Sequence, residues 1–403
     1  MPPYRFSYTD KNQDNQFPVP DTKAAEHSQR LHFRICQEIN SQGGSISFAR
    51  FMELALYEPG LGYYTAGARK FGKEGDFTTA PEITSVYSRC IARQCEQILN
   101  ELGSGSILEL GPGTGIMACD ILKELEQHDS LPDQYLMLDT SADLRARQQQ
   151  SIRQYVPHLE ERIRWLDTLP AMGINGVIIA NEVLDAIPVN RIYVNEDSVD
   201  ELSVGVDRDQ FTWVHNMIEE ELHTEVEEIF KFLGNRLQTG YVSEINIRIK
   251  PWLNSLAEIL ERGVMLFIDY GYPRREYYHP QRNDGTLVCH YRHRMHSNPF
   301  LYPGLQDITA SVDFTQIAEI ASDAGLHVSG YTTQAHFLMG CGLDKLLDGK
   351  DLMDSTENIE LARQVKMLTV PGEMGERYKA IALTKNMNIL LTGFQFIDHR
   401  TKL

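Results

Sequence analysis

The 403-residue chain predicts an α/β fold, a doubly wound, mostly parallel sheet with an N-terminal helical segment and an inserted hairpin and lid. Three observations predict it. The stretch Ile107-Leu108-Glu109-Leu110-Gly111-Pro112-Gly113-Thr114-Gly115 couples a short apolar run to a glycine turn, and a helix-compatible run, 116–125, follows. Beyond it, strand-length apolar runs alternate with segments of helical period, the pattern of a parallel sheet covered on both faces. Between 189 and 215 that rhythm gives way to short alternating runs with turn residues, a hairpin insertion.

Along the chain, the first 22 residues are polar, with prolines at 2, 3, 18 and 20, and read as a loose arm. In 23–40 the recurrence of Leu31, Ile35 and Ile39 is helical, and 47–57 reads as a helix stopped by Pro59 and Gly60. A loop rich in glycine and aromatics, 60–81, leads to a helix over 83–102. Strands are predicted at 106–111, 135–139, 163–166, 176–180 and 264–269, and helices at 116–126, 143–155, 222–237 and 251–262. The segment 271–307 is long for a loop without secondary structure, which suits a lid or substrate-binding segment. A helix over 313–325, capped by Asp313 and stopped by Gly325, and a last edge strand over 377–384 complete the prediction. The expected division is an N-terminal helical segment with a covering loop, 1–100, and a sheet domain, 101–403, with insertions near 189–250 and 271–312.

Composition narrows the function. With 42% hydrophobic and 23% charged residues the chain is an ordinary globular protein, and its net charge of −18 argues against backbone-driven nucleic-acid binding. An acidic surface favours small cationic ligands or a basic protein partner. The six cysteines form no C-x-x-C pair, which reads as thiols in a reducing compartment. No apolar run is long enough to cross a bilayer, and 1–16 has no apolar signal core and carries acidic residues. A cytoplasmic enzyme, away from membrane and nucleic acid, is the expectation; a homodimer is an admissible assembly.

The candidate chemistry lies where strands end. In the turn, Gly111, Gly113 and Gly115 occupy every second position after the carboxylate of Glu109, unlike the G-x-G-x-x-G of dinucleotide sites. Such a turn suits a cationic sulfonium nucleoside, whose positive amino-acid end a carboxylate attracts. Asp139, closing the second strand, is placed to accept the ribose hydroxyls, or is a solvated strand-end acid. Asp167, after the third strand, is a candidate for the adenine amino group. Asn181-Glu182-Val183-Leu184-Asp185 follows the fourth strand, where substrate should meet cofactor. Glu182 and Asp185 are candidate partners for an arginine guanidinium, although Asp185 could equally cap the next turn. Before the sheet, Pro81 and Glu82 suit a first helical turn, and Asp76 and Thr78 sit in the loop leading into it, either covering the cofactor or merely capping. His290, His293 and His296 recur at intervals of three but lack companion acids, so a substrate-gripping segment is preferred to a metal site.

The motifs GDFTTAPEIT (75–84), ELGPGTG (109–115), NEVLDAIPV (181–189), IDYG (268–271), CHYRHRMHSNPFLYPGLQDITASVDF (289–314) and QAHFLMGCG (334–342) occur in this order. Together they make the chain resemble the mitochondrial complex I assembly arginine methyltransferases and their bacterial homologues, from about Gly44 to near Leu383. The resemblance implies a class I methyltransferase (Rossmann-like) fold that uses S-adenosyl-L-methionine. It implies that Gly111, Gly113 and Gly115 line the cofactor, with Glu109 near its amino-acid end and Asp139 on the ribose, where the family more often has glutamate. For the cofactor side Thr78, Pro81, Glu82, Asp167 and Asn181 complete the set; Asp76, Glu182 and Asp185 are the catalytic candidates. For mitochondrial members the resemblance implies an arginine of a complex I subunit as acceptor; the polar, proline-containing start suggests a bacterial-type member, to which that substrate does not simply carry over, and an unidentified arginine-bearing protein is the expected partner. Two other readings remain at this point: transfer to a small molecule, and a cofactor-binding assembly factor without transfer activity.

Overall fold

The computed structural model describes residues 17–66, 79–348 and 356–403. They separate into two compact units, the first holding 17–66, 186–249 and 275–311, the second 79–185, 250–274 and the rest.

In the first unit the helix Thr22–Ser41 starts where Asp21 accepts the Ala24 amide, and it buries Leu31, Ile35 and Ile39 along one stripe. Ser47 caps the helix Phe48–Tyr57 in the same way. Both helices share a core with Val189, Val204, Cys289 and Ile308. An antiparallel five-stranded sheet runs in the order Ser45–Ile46, Val199–Asp207, Asn190–Val194, Val242–Ile245, with Gln210–Met217 paired to Val199–Asp207. The segment 271–307, expected to be irregular, instead carries strands. Val288–Tyr291 pairs with both Arg294–His296 and Asp307–Thr309, because alternate residues such as Cys289 and Tyr291 are buried. His290 and His296 lie on this small sheet and His293 in the turn between its strands; among the described residues no cluster of three or more His, Cys, Asp or Glu could hold a metal ion.

The second unit is built on an eight-stranded sheet. Its order is His327–Thr333, Tyr378–Lys385, Leu260–Tyr272, Ile174–Asn181, Ser106–Leu110, Tyr135–Leu138, Ile163–Leu166, with Val312–Asp313 beside the end of Leu260–Tyr272. From Leu260–Tyr272 to Ile163–Leu166 every pairing is parallel. Continuous buried runs such as Val177 to Ala180 and Val264 to Ile268 are what a sheet covered on both faces requires. The strand predicted at the edge over 377–384 is not an edge. Tyr378–Lys385 runs antiparallel between two neighbours, and six consecutive residues of it are buried.

Helices Ser85–Leu102 and Ile116–Gln127 cover one side through Cys90, Ile91, Cys95, Ile98, Ile121 and Leu122. Helix Ser85–Leu102, counted above with the N-terminal segment, packs in this unit. Between the two helices Glu124, 2% exposed, accepts from Arg89 at 2.6 Å and Arg93 at 3.2 Å. Because the strands run parallel, the glycine turn, Asp139, Asp167 and the acidic loop all follow strand ends on one edge of the sheet. Among the described residues no helix is long and apolar enough to cross a membrane.

Candidate active site

The three turn glycines all have positive φ, +60° at Gly111, +54° at Gly113 and +79° at Gly115, the left-handed region that a Cβ disfavours. They differ in what surrounds them. A Cβ on Gly111 would lie 2.9 Å from Cγ2 of Val183, and one on Gly115 would lie 3.1 Å from Cα of Gln148. Around Gly113 nothing stands within 4 Å of that position. Gly111 and Gly115 therefore admit close packing, while Gly113 leaves main chain open to a visitor.

The turn is fixed from below and from the side. Gln148, fully buried, donates from Nε2 to the Gly113 carbonyl at 3.0 Å and to Asp139 Oδ2 at 2.9 Å, and accepts from Trp165 Nε1 at 3.1 Å. Asp139 Oδ1 accepts the Ser141 amide at 2.8 Å, which holds this half-buried carboxylate beside the turn. Glu82 accepts from the Thr114 hydroxyl, so the short helix Ala80–Ile83, with buried Pro81, is tied to the turn. Glu109 is 1% exposed and accepts from Tyr135 Oη at 2.7 Å. Burial pushes its carboxyl up to about 7, against the Tyr135 hydrogen bond, with Asp139 adding to the rise.

Asp167 is placed differently. Its side chain is 84% exposed and pairs with Arg145 at 2.7 Å. Asp76 and Thr78 lie outside the described residues.

The acidic loop gathers carboxylates. Asn181, at the end of its strand, accepts from Tyr87 Oη and donates to Glu182 Oε1 at 3.2 Å. Glu182 has φ +53°, a left-handed backbone that costs a non-glycine residue about 1 kcal/mol. Its Oε1 also accepts the Ala80 amide at 3.2 Å and its Oε2 accepts from Tyr378 Oη at 3.1 Å. Burial, then the charge of Asp185, raises the Glu182 carboxyl to about 7. Asp185 is 6% exposed. Beneath the loop Asp269 is fully buried, and one of its oxygens accepts three successive amides, Val183 at 3.1 Å, Leu184 at 2.9 Å and Asp185 at 3.2 Å. Its other oxygen accepts the Tyr270 amide at 2.9 Å. Burial first, then Asp185 and Glu182, hold the Asp269 carboxyl far above the usual range.

Gly111, Gly113, Gly115, Asp139, Glu82, Asn181, Glu182 and Asp185 are thus joined through a connected set of contacts, with Glu109 beneath the same strand end. Sequence reasoning missed Asp269, Gln148, Tyr87, Tyr135 and Tyr378. Of these only Asp269 left a signal, as an acid closing a predicted strand.

The donor set fits S-adenosyl-L-methionine. Open main chain at Gly113, the half-buried acid Asp139 beside it and carboxylates on and under the turn suit a cationic sulfonium nucleoside and oppose a pyrophosphate.

Comparison with known proteins agrees. Residues 90–332 match the family described as "Putative S-adenosyl-L-methionine-dependent methyltransferase". The chain is similar to a superfamily member from Burkholderia thailandensis crystallised bound to S-adenosyl-homocysteine. The two are 39% identical with a TM-score of 0.91, covering 96% of this chain and 100% of that one. It is 27% identical to the mitochondrial protein arginine methyltransferase NDUFAF7 homolog of Drosophila melanogaster, over 91% of this chain and 88% of that protein. It is 24% identical to the mitochondrial protein arginine methyltransferase NDUFAF7 of Homo sapiens, over 86% and 81%. With more than half of its length matched by the family model, on a sheet and turn that fit the donor, the chain belongs to this family of S-adenosyl-L-methionine-dependent methyltransferases.

Proposed function

We propose that the protein transfers a methyl group to an arginine side chain of a protein substrate. The observation that carries this reading is the cluster of Glu182, Asp185 and Asp269, with two carboxyls raised by burial and mutual charge, in contact with the glycine turn through Val183. Such a cluster favours a cationic guest, and a guanidinium meets carboxylates in planar, bidentate fashion. The arginine methyltransferase names of the curated relatives support the same acceptor.

S-adenosylmethionine, when bound, supplies a methyl group on a positively charged sulfur that leaves as a neutral thioether. Gly111, Gly113 and Gly115 bring main chain to that group, Asp139 and Glu109 serve its ribose and amino-acid ends, and Pro81 and Glu82 brace the turn. Asn181 orients Glu182, whose carboxylate holds the guanidinium and takes the nitrogen's proton once the new N–C bond forms. Asp185 shares the guanidinium, and Asp269 acts as a positioning residue through the loop amides. Asp76 joins the acceptor-facing acids, and Thr78 the cofactor cover, on sequence grounds alone. Asp167 is kept as a neighbour of the adenine, its pairing with Arg145 notwithstanding.

A cytoplasmic location is part of the reading, supported by the free cysteines; the curated relatives carry a mitochondrial label, and cell fractionation decides between the two. A homodimer, without membrane or nucleic acid, is the assembly we propose, to be checked by sedimentation. The decisive experiment incubates the protein and its Glu182→Gln variant with methyl-labelled S-adenosylmethionine and a cell extract. A labelled protein band that yields methylarginine and is lost in the variant supports the proposal. Label confined to small metabolites, or donor binding without transfer, overturns it.

A further inference from the structure

The first unit contains a cavity that methyl transfer does not use. It encloses about 520 Å3, bounded by Glu38 and Arg50 of the two N-terminal helices, the strand Val199–Asp207 and the start of the helix Glu220–Leu233. Its floor is polar and buried: Asn190, Glu201 and Ser203 are 7%, 6% and 2% exposed. Glu201 and Ser203 alternate along their strand with Leu202 and Val204, so the polar face belongs to the cavity by the period of the strand. Asn190 Nδ2 donates to Glu201 Oε1 at 2.7 Å, which fixes the amide and aims its donor at the carboxylate. Asn190 Oδ1 is buried with no donor from the protein, an acceptor that a guest carrying N–H groups would satisfy.

The charges lining the cavity are unbalanced. Arg50 pairs with Glu38 at 2.9 Å and Glu53 at 3.1 Å, and Arg248 pairs with Glu53 at 3.0 Å, so both cations are already matched. Among the described residues Glu201 on the floor and Glu219 and Glu221 on the exposed rim enter no ion pair. Acids at a helix start complement its dipole, which accounts for the rim. It does not account for a buried glutamate beside an amide oxygen that lacks a donor.

We propose that this cavity binds a guanidinium group, of the kind carried by an arginine side chain or a free guanidino compound. The floor offers acceptors and a carboxylate on adjacent strands, and a guanidinium is planar, rich in donors and more weakly hydrated than an ammonium. It therefore gives up less water to reach a desolvated floor than a lysine does. The proposal stands apart from the methyl-transfer reading, since binding is measured directly and without the methyl donor.

The test is calorimetric titration of the full chain, in the Glu182→Gln background, with N-acetyl-arginine methylamide, its lysine counterpart and agmatine. Saturable binding of the arginine probe is expected, about tenfold tighter than the lysine probe, and weakened about tenfold by Glu201→Gln. Should Glu201→Gln disturb folding by circular dichroism, Glu219→Gln on the rim carries the test, with a loss of about two- to threefold expected. Tighter binding of the blocked arginine than of agmatine assigns the site to a peptide, and the reverse to a small metabolite; either supports it. No saturable binding in the Glu182→Gln background, or binding unchanged by the floor and rim variants, shows a water-filled void and overturns the proposal. Neither outcome touches transfer activity, which is read at Glu182.

Discussion

The glycine turn and the acidic loop touch through Gly111 and Val183, yet they are built on opposite terms. On the turn side polar groups are matched. Gln148 serves the Gly113 carbonyl and Asp139 together, Ser141 holds the other oxygen of Asp139, and Thr114 is bound to Glu82. On the loop side Glu182, Asp185 and Asp269 are crowded in a buried place where Asp185 raises the proton affinity of Glu182, and the two together raise that of Asp269. The first region surrounds open main chain at Gly113 with polar groups that are already paired. The second holds carboxyls whose ionisation is resisted by burial and by neighbouring acids, a resistance that a cationic guest would relieve.

The sharpest way to break this comparison is at its two centres. Glu182→Gln should lower methyl transfer by about 10²- to 10³-fold while leaving donor affinity within about twofold, since it removes the charge proposed to hold the acceptor while the amide oxygen can still accept from Ala80 and Asn181. In the native enzyme kcat/KM should rise with pH through about 7, as the Glu182 carboxyl ionises, and this limb should vanish in the variant. Gly113→Val should weaken donor binding by about 100-fold or more in calorimetry, because it places a branched side chain on open main chain at φ +54°. Circular dichroism should show the fold retained; unchanged donor affinity would sink the assignment of the turn.

Smaller effects sharpen the contrast. Gln148→Leu unties Asp139 and the Gly113 carbonyl together and should raise the donor Kd about tenfold, with little change in the acceptor's KM. Glu109→Gln addresses stability. The folded carboxyl sits at about 7 against an ordinary 4.5, so its contribution is fully present below pH 4.5 and is lost as pH rises towards 7. Glutamine still accepts from Tyr135 but cannot titrate, so Tm measured from pH 5 to 8 should flatten, by the equivalent of about 3 kcal/mol at most. Asp167→Asn should weaken donor binding a few-fold if the acid borders the adenine as proposed; a change below about twofold would leave the exposed pair with Arg145 as its whole role.

What the sequence made legible follows from distance along the chain. Apolar runs mark the parallel strands, and an acid or glycine near a strand's carboxyl end lies at that edge of the sheet, so Glu109, Asp139, Glu182 and Asp185 could be placed there from position alone. Partners from remote segments could not. Tyr87 reaches Asn181 and Tyr378 reaches Glu182 across separations of 94 and 196 residues, and nothing local in either tyrosine points there. Gln148 looks like any polar helix residue until the turn is laid over it. The strand His327–Thr333 was invisible because serine and glycine interrupt its apolar run, and its absence made Tyr378–Lys385 look like an edge.

One oxygen of Asp269 gathers three consecutive peptide N–H groups, so the backbone of the acidic loop is pinned from within. Its contour cannot be redrawn for each newcomer. On the proposed reading, a flat, delocalised guanidinium suits so fixed a contour better than a rounder, more strongly hydrated ammonium.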